Sequence, residues 1–370
     1  MSEKNKKILF AGGGTLGSVM PLLAVFEYLK KTHPNFEFYW VGTKKGPEKK
    51  YIGKYNLPYK AISAGKLRRY FSLKNLLDIA LIKIGFIQAW WYLNKLKPNI
   101  IISAGGFVSV PVVLTGKLLK IPSLIHQQDI QPGLANKIMA RFATAVTVTF
   151  PEQAKDFPRN KAEVVGNPAR EEIRNIKSAA KEELFKKLSK NYKLKANSPV
   201  LLVMGGGTGS KQINDLVAAS LPELDKICQI IHITGQGKNK NVSRTGYSQF
   251  EFITDDLPSL LALADVVVSR AGFSSLTELS YLAKPVILIP IPNSHQEKNA
   301  EYFKSKNAVE VFNVNQNITD YIVVTFARML LQLLEDKERQ SELSQNIHRI
   351  IPQDSTEKLA SEIIKILKIN

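Results

Sequence analysis

The stretch Ile8-Leu9-Phe10-Ala11-Gly12-Gly13-Gly14-Thr15-Leu16-Gly17-Ser18-Val19-Met20-Pro21 decides the fold. Its head, Ile8-Leu9-Phe10, reads as a buried strand, the glycines as a tight loop, and residues 21–30 as a helical pattern. About half a chain later the device returns as Leu201-Leu202-Val203-Met204-Gly205-Gly206-Gly207-Thr208, followed by a helical pattern over 212–219. Strand, glycine loop and helix make one α/β unit, so two copies point to two similar α/β domains in tandem.

Working outward, apolar runs at 36–41, 100–103, 123–126, 145–148, 230–233, 266–269 and 286–289 supply further strands. Most are continuous, as strands of a parallel sheet covered on both faces should be. Helical patterns occupy 258–264, 277–282 and 356–367. A chain of 370 residues exceeds what one core fills. A linker is predicted near Val165-Gly166-Asn167-Pro168, with a charged helical stretch over 171–195.

Composition excludes several classes. With 44% hydrophobic residues and no low-complexity tract, the chain is a folded protein rather than a disordered one. The 51 Lys+Arg against 32 Asp+Glu leave a net charge of +19, which favours a polyanion, an anionic membrane surface or a phosphorylated ligand. No zinc-finger spacing, basic zipper or ribonucleoprotein signature accompanies that charge, so nucleic acid is not the expected partner. The single cysteine, Cys228, rules out an intramolecular disulfide. It fits a reducing compartment and reads as a buried strand residue rather than a nucleophile. Too few apolar residues precede the first glycines for a signal peptide, and the protein is expected to be cytoplasmic.

The glycine loops can serve as tight turns without a ligand or let backbone N–H groups approach an anion or a sugar. A nucleotide-hydrolase loop is excluded, because Ser210 and Gln212 stand where that pattern needs Gly and Ser/Thr. A dinucleotide site is not expected either, since Trp40-Val41-Gly42-Thr43-Lys44-Lys45 offers no acid for a ribose. Two more loops, Ala104-Gly105-Gly106-Phe107-Val108-Ser109 and Arg270-Ala271-Gly272-Phe273-Ser274-Ser275, bring the total to four. Glu278, placed in the first turn of the next helix, suits either a ribose diol or the helix dipole. His295-Gln296 suits either sugar hydroxyls or an exposed helix start. Asp255-Asp256, before Leu257-Pro258, reads as helix capping rather than a metal pair.

Taken in order, several motifs resemble the MurG family of bacterial UDP-N-acetylglucosamine transferases across nearly the whole chain. They are Gly13-Gly14-Thr15 with Pro21, Gly105-Gly106-Phe107-Val108-Ser109, His126 with Gln128, Gly133-Leu134-Ala135-Asn136-Lys137, and Val164-Val165-Gly166-Asn167-Pro168-Ala169-Arg170. Gly205-Gly206, Arg270-Ala271-Gly272, Glu278 and His295-Gln296-Glu297-Lys298-Asn299-Ala300 complete them. The resemblance implies a GT-B fold of two Rossmann-like domains with parallel sheets facing across a cleft. An acceptor and membrane-association domain is expected over 1–165, a UDP-GlcNAc domain over 166–350, and a C-terminal helix over 351–370 returning to the first domain.

It further implies inverting transfer of GlcNAc from UDP-GlcNAc to the muramyl 4-hydroxyl of lipid I, forming lipid II, without a metal or other cofactor. Donor contacts would come from Arg170, Gly206, Gly209, Ser210, Ile253, Arg270, Phe273, Ser274, Glu278, His295 and Gln296. Acceptor contacts would come from Gly13, Gly14, Thr15, Gly17, Gly105, Gly106 and Asn136, the two loops receiving the acceptor's diphosphate. The chain departs from the family pattern at Ser18, Gln127 and Asp129, where His, Glu and Asn are usual. Serine is a poor base near neutral pH, so Asp129 is the leading catalytic candidate, ahead of His126 and Ser18. Alternatives are a GT-B transferase acting on another lipid such as diacylglycerol, or a nucleotide-sugar-binding module without turnover.

The apolar segment 73–93 is interrupted by Asp78, Lys83 and Gln88 and cannot span a membrane. A stripe through Leu73, Leu77, Leu81, Ile84, Ile87 and Trp91 is expected to face the core. That leaves Phe86 and Trp90, with Lys66, Arg68, Arg69 and Lys74, for an anionic membrane surface. The residues alone also fit a helix buried mainly in the first domain with a solvated basic end; the resemblance, with its lipid acceptor presented at the cytoplasmic face, implies peripheral attachment to the cell membrane there.

Overall fold

Alternation along β1 (Lys7–Ala11) organises the first half of the molecule. Ile8 and Phe10 enter one core and Leu9 and Ala11 another, because successive strand side chains point to opposite faces. The computed structural model describes residues 5–65, 74–158, 161–176, 179–239, 242, 244–314 and 317–369. Its chain divides into two compact units, Met1–Arg170 with Pro352–Asn370, and Glu171–Ile351.

In the first unit β1 is joined by β2 (Glu37–Thr43), β3 (Tyr59–Ile62), β4 (Ile100–Ser103), β5 (Ser123–Gln127), β6 (Ala145–Val148) and β7 (Ala162–Val164). All pairs are parallel, in the order β3-β2-β1-β4-β5-β6-β7. Helix Met20–Thr32 covers one face, where Phe26 meets Phe10 edge-on. Helix Ser355–Ile369 adds Leu359, Ile363, Ile366 and Leu367 to that same core. On the opposite face Ala89, Leu93, Val112, Val113 and Met139 pack on Leu9, Ile101 and Ile125.

The second unit holds β8 (Val200–Met204), β9 (Gln229–Ile233), β10 (Tyr247–Phe250), β11 (Val266–Ser269), β12 (Val286–Leu288) and β13 (Glu310–Val311). They too are parallel, in the order β10-β9-β8-β11-β12-β13. Leu201 and Val203 of β8 share a core with Ile213, Leu216 and Val217 of helix Lys211–Leu224 and Phe326 and Leu330 of helix Asp320–Glu335. Cys228 is buried just ahead of β9, where burial pushes its thiol up to about 12.

Three expectations are corrected by packing. Helix Lys74–Leu96 turns Gly85, Ala89 and Leu93 inward, not the stripe through Leu81, Ile84, Ile87 and Trp91. The backbone of Gly85 lies so close to the Ser63 carbonyl that a Cβ would overlap it, so the helix can approach there only on the side that carries glycine. Leu81, Ile84, Ile87 (69% exposed), Trp90 and Trp91 (72%) consequently face outward, while Phe86 is half-buried. Leu73, Lys66, Arg68 and Arg69 lie outside the described residues. Helix Phe273–Tyr281 starts four residues before the expected 277, which moves Glu278 out of the first turn. Asp256 occupies the N-cap of helix Leu257–Leu263 but makes no side-chain capping bond; it accepts instead from the Tyr192 hydroxyl at 3.1 Å.

Candidate active site

Each sheet has a switch point where the winding reverses, between β1 and β4 in the first unit and between β8 and β11 in the second. Ligands of open α/β sheets bind beyond the carboxyl ends of the strands at such points. All four glycine loops predicted from the sequence sit there: 12–18 and 104–107 in the first unit, 205–209 and 270–272 in the second.

In the first unit the two loops interlock. Ser109 Oγ donates to the Ala11 carbonyl at 2.8 Å, and the Phe107 ring lies against Gly14. Gly14, Gly105 and Gly106 have φ of 85°, 105° and 89°, a region that only glycine enters without strain. Gly12 N–H donates to Val41 O at 3.1 Å, while Trp40 Nε1 donates to Gly12 O at 2.9 Å. Gly14 N–H is committed to the Glu48 carboxylate at 3.1 Å. Gln128, which follows β5, spans both loops by donating Nε2 to Gly17 O at 3.1 Å and to Ala104 O at 3.4 Å.

The catalytic candidates separate on this framework. Ser18 is buried beside Gly106, and its Oγ has no hydrogen-bond partner among the described residues. The same holds for Asn136 Oδ1, close to Gly105, and for Gln128 Oε1. Three buried oxygens without donors therefore border the two loops, whereas native interiors pair nearly all such atoms. Asn136 Nδ2 donates to Gln127 Oε1 at 2.6 Å, and Gln127 Nε2 donates to the Asp129 carbonyl at 2.6 Å. Gln153 Nε2 also donates to that carbonyl, at 2.7 Å, so the 127–129 turn is pinned from two sides. The Asp129 side chain itself is only half-buried.

His126 is fully enclosed. Asn167 Oδ1 can only accept, so Nε2 carries the ring proton and donates at 2.8 Å, leaving Nδ1 to accept from Thr147 Oγ1 at 3.0 Å. Burial drives its pKa down to about 4, opposed by the Asn167 hydrogen bond. Neither ring nitrogen is open to a substrate hydroxyl, and the residue acts as a strut joining β5, β6 and the 165–170 segment.

In the second unit Gly209 (φ 71°) packs so tightly on Thr234 O and Gly235 that a side chain has no space, while Gly206 (φ 80°) faces open space. Ser210 caps helix Lys211–Leu224, its Oγ accepting from Ile213 N–H at 3.2 Å. Lys238, which the sequence reading did not single out, donates to Thr208 O at 2.7 Å and so lies over the same loop. Arg270 is partly buried, its Nε lacks a partner among the described residues, and burial holds its guanidinium below the usual value.

Asn299 Nδ2 donates to Ala271 O at 3.0 Å, tying that loop to helix His295–Ser305. Gln296 accepts from Ile291 N–H at 3.2 Å and reaches toward Gly272. Phe273 packs edge-on to Phe303, while Glu278 and Ile253 are buried, Ser274 half-buried and His295 exposed. Arg170, also expected in this set, belongs to the first unit. Glu48 was missed as well; its only sequence signal is a lone acid among Lys44, Lys45, Lys49, Lys50 and Lys54.

Comparison with known proteins places these loops in a family. Residues 8–148 match the glycosyltransferase family 28 N-terminal domain, and residues 200–358 match its C-terminal domain. The chain is 43% identical over 313 residues to a Bacillus cereus protein, covering 83% of this chain and 86% of the relative. That relative is named UDP-N-acetylglucosamine--N-acetylmuramyl-(pentapeptide) pyrophosphoryl-undecaprenol N-acetylglucosamine transferase 2. A Clostridium botulinum transferase of the corresponding name is 38% identical over 368 residues, 98% of each chain. Among solved structures, MurG of Acinetobacter baumannii superposes with a TM-score of 0.71 at 22% identity over 98% of this chain and 99% of that one. That likeness speaks for the fold, two parallel-sheet domains of the GT-B class. With both domain models matched in order and identity sustained along the chain, the protein belongs to glycosyltransferase family 28.

Proposed function

We propose that this protein transfers GlcNAc from UDP-GlcNAc to the muramyl 4-hydroxyl of lipid I, with inversion, forming lipid II. The observation that carries the reading is the sustained identity, 38% over 368 residues, with a relative named for that transferase activity. The acceptor hydroxyl attacks the anomeric carbon, the glycosidic bond to the diphosphate breaks, and UDP departs carrying the electron pair. Unpaired N–H groups at a helix start stabilise such a departing anion.

The donor occupies the second unit. The 205–209 loop, with Ser210 at the start of its helix, faces the diphosphate, and Arg270 with its unpartnered Nε supplies positive charge nearby. Glu278, buried and beyond the first helical turn, takes the ribose diol; its displacement from the helix start removes the dipole as a competing reason for a carboxylate there. Gln296 and His295 address the sugar, Phe273 and Ser274 complete the wall, and the backbone at Ile253 meets uracil. Arg170 is assigned to the donor as well.

The acceptor occupies the first unit, at Gly13, Thr15, Gly17, Gly105, Gly106 and Asn136, with Gly14 shaping the loop. Asn136 Oδ1 and Gln128 Oε1 accept hydrogen bonds only, so they suit hydroxyl or amide hydrogens of the acceptor better than its diphosphate. Asp129 is the favoured base, since His126 is enclosed and a serine hydroxyl ionises far above neutrality. The outward apolar face of helix Lys74–Leu96, with Lys74 at its head and Lys66, Arg68 and Arg69 preceding it, carries the protein to the anionic cytoplasmic face of the membrane. No helix among the described residues is long and apolar enough to cross a membrane.

The test is transfer of labelled GlcNAc from UDP-GlcNAc to a short-chain lipid I analogue, with chelator present and Asp129→Asn alongside. Product from the parent, with turnover in Asp129→Asn reduced at least about 100-fold, is expected for loss of a general base. Donor binding without product in the parent would refute the transferase reading, and full turnover in the variant would remove Asp129 as the base.

A further inference from the structure

A buried carboxylate lies beneath the first glycine loop. Glu48 is fully buried, at the start of helix Glu48–Gly53, and no cation is paired with it in the described structure. One oxygen, Oε1, accepts from Thr43 N–H at 2.7 Å and Thr43 Oγ1 at 2.6 Å, with the Tyr59 hydroxyl at 3.3 Å. The Tyr59 proton is directed mainly to Thr43 O, at 2.7 Å. The other oxygen, Oε2, accepts from Gly14 N–H at 3.1 Å. A buried carboxylate is tolerated only where donors satisfy it, and here those donors come from the β2 end and from the glycine loop 34 residues earlier.

The steric relation is as specific as the hydrogen bonds. A Cβ on Gly13 would overlap Glu48 Oε1, and one on Gly46 would overlap Oε2, so both glycines are the space the carboxylate fills. Gly14, whose N–H donates that hydrogen bond, holds its left-handed φ directly over the Phe107 ring of the neighbouring loop. The carboxylate thus sets where the 13–15 backbone stands relative to the 104–107 loop. It also consumes one of the loop's N–H donors, which an anion would otherwise use.

We infer that Glu48 is a positioning residue for the transfer reaction, fixing the first glycine loop in the conformation that receives the acceptor. This rests on the acceptor assignment to the first unit made above. Glu48 touches neither reacting atom; it acts through Gly14 and Gly13. A contribution of this kind must show in acceptor KM and kcat and leave the donor untouched, because the donor residues other than Arg170 belong to the second unit.

The experiment measures steady-state transfer to the short-chain lipid I analogue, with UDP-GlcNAc binding by calorimetry, for the parent, Glu48→Gln, Glu48→Asp, Gly13→Ala and the Gly13→Ala/Glu48→Asp double variant. Glu48→Gln keeps the shape and loses the charge; it is expected to lower kcat/KM for the acceptor by about 10–100-fold, with donor Kd within about twofold. Gly13→Ala is expected to lose at least as much, because its methyl and the Glu48 carboxylate claim one space. Shortening the acid by one methylene frees that space, so the double variant should recover about tenfold or more over Gly13→Ala alone. Acceptor kinetics unchanged in Glu48→Gln, or no recovery in a folded double variant, would overturn the inference. A parent that binds donor but makes no product would instead overturn the transferase reading, a result that these variants do not mimic.

Discussion

His126 makes the stability of the first unit depend on pH in a calculable way. Its ordinary pKa of 6.5 is lowered to about 4 in the fold, because burial disfavours the imidazolium by more than the Asn167 hydrogen bond favours it. Above pH 6.5 the ring is neutral folded or unfolded and contributes no pH dependence. As the pH falls below that value the unfolded chain takes up a proton that the folded chain refuses, so stability drops by up to about 1.4 kcal/mol per pH unit until the folded pKa is reached. Between pH 7 and pH 5 the loss is about 2 kcal/mol, and below pH 4 it levels off near about 3 kcal/mol.

The perturbation that isolates this contribution is His126→Asn, which cannot titrate. At pH 7 it should cost about 1–3 kcal/mol for the broken contacts with Thr147 and Asn167. The assay is urea unfolding followed by tryptophan fluorescence, since Trp40, Trp90 and Trp91 all lie in the first unit. The parent-minus-variant stability difference should shrink by about 2 kcal/mol from pH 7 to pH 5. A difference that stays constant over that range would refute the buried, neutral histidine.

Two further outcomes follow from packing. Gly209→Ala combines a left-handed φ, worth about 1–2 kcal/mol, with overlap against Thr234 O and Gly235, and should destabilise the second unit by about 2–4 kcal/mol and abolish donor binding. Gly206→Ala, with similar φ but open space, should cost only the conformational part; equal losses by far-UV circular dichroism would remove the steric explanation. Ile87→Glu with Trp91→Glu should leave unfolding within about 0.5 kcal/mol, because both side chains are exposed, yet reduce cosedimentation with phosphatidylglycerol vesicles by tenfold or more. Unchanged cosedimentation would remove this face as the membrane contact.

What could be read in advance was whatever depends on short stretches of chain. Central strands are buried on both faces, so they are continuous apolar runs, and Ile8-Leu9-Phe10 and Leu201-Leu202-Val203 announced themselves with the glycine loops after them. Edge strands β3, β7, β10 and β13 did not, because an edge half-faces water and admits the polar residues of Tyr59-Lys60-Ala61-Ile62 or Tyr247-Ser248-Gln249-Phe250. The same locality explains the loops: glycine at a strand end is visible without knowing the partner that demands it.

Partners far apart along the chain were decided only by the tertiary structure. Whether His126 is a base or a strut depends on Thr147 and Asn167, and whether Glu48 is a surface acid or a buried one depends on Gly13 and Gly14. The orientation of helix Lys74–Leu96 is the clearest case. Its apolar residues are spread around the circumference, so periodicity favoured the stripe of large side chains as the inner face, whereas the close approach of the Ser63 backbone admits only Gly85 there. Hydrophobicity along a sequence says that a helix has something to bury; which side it buries is set by the shape of the surface it meets.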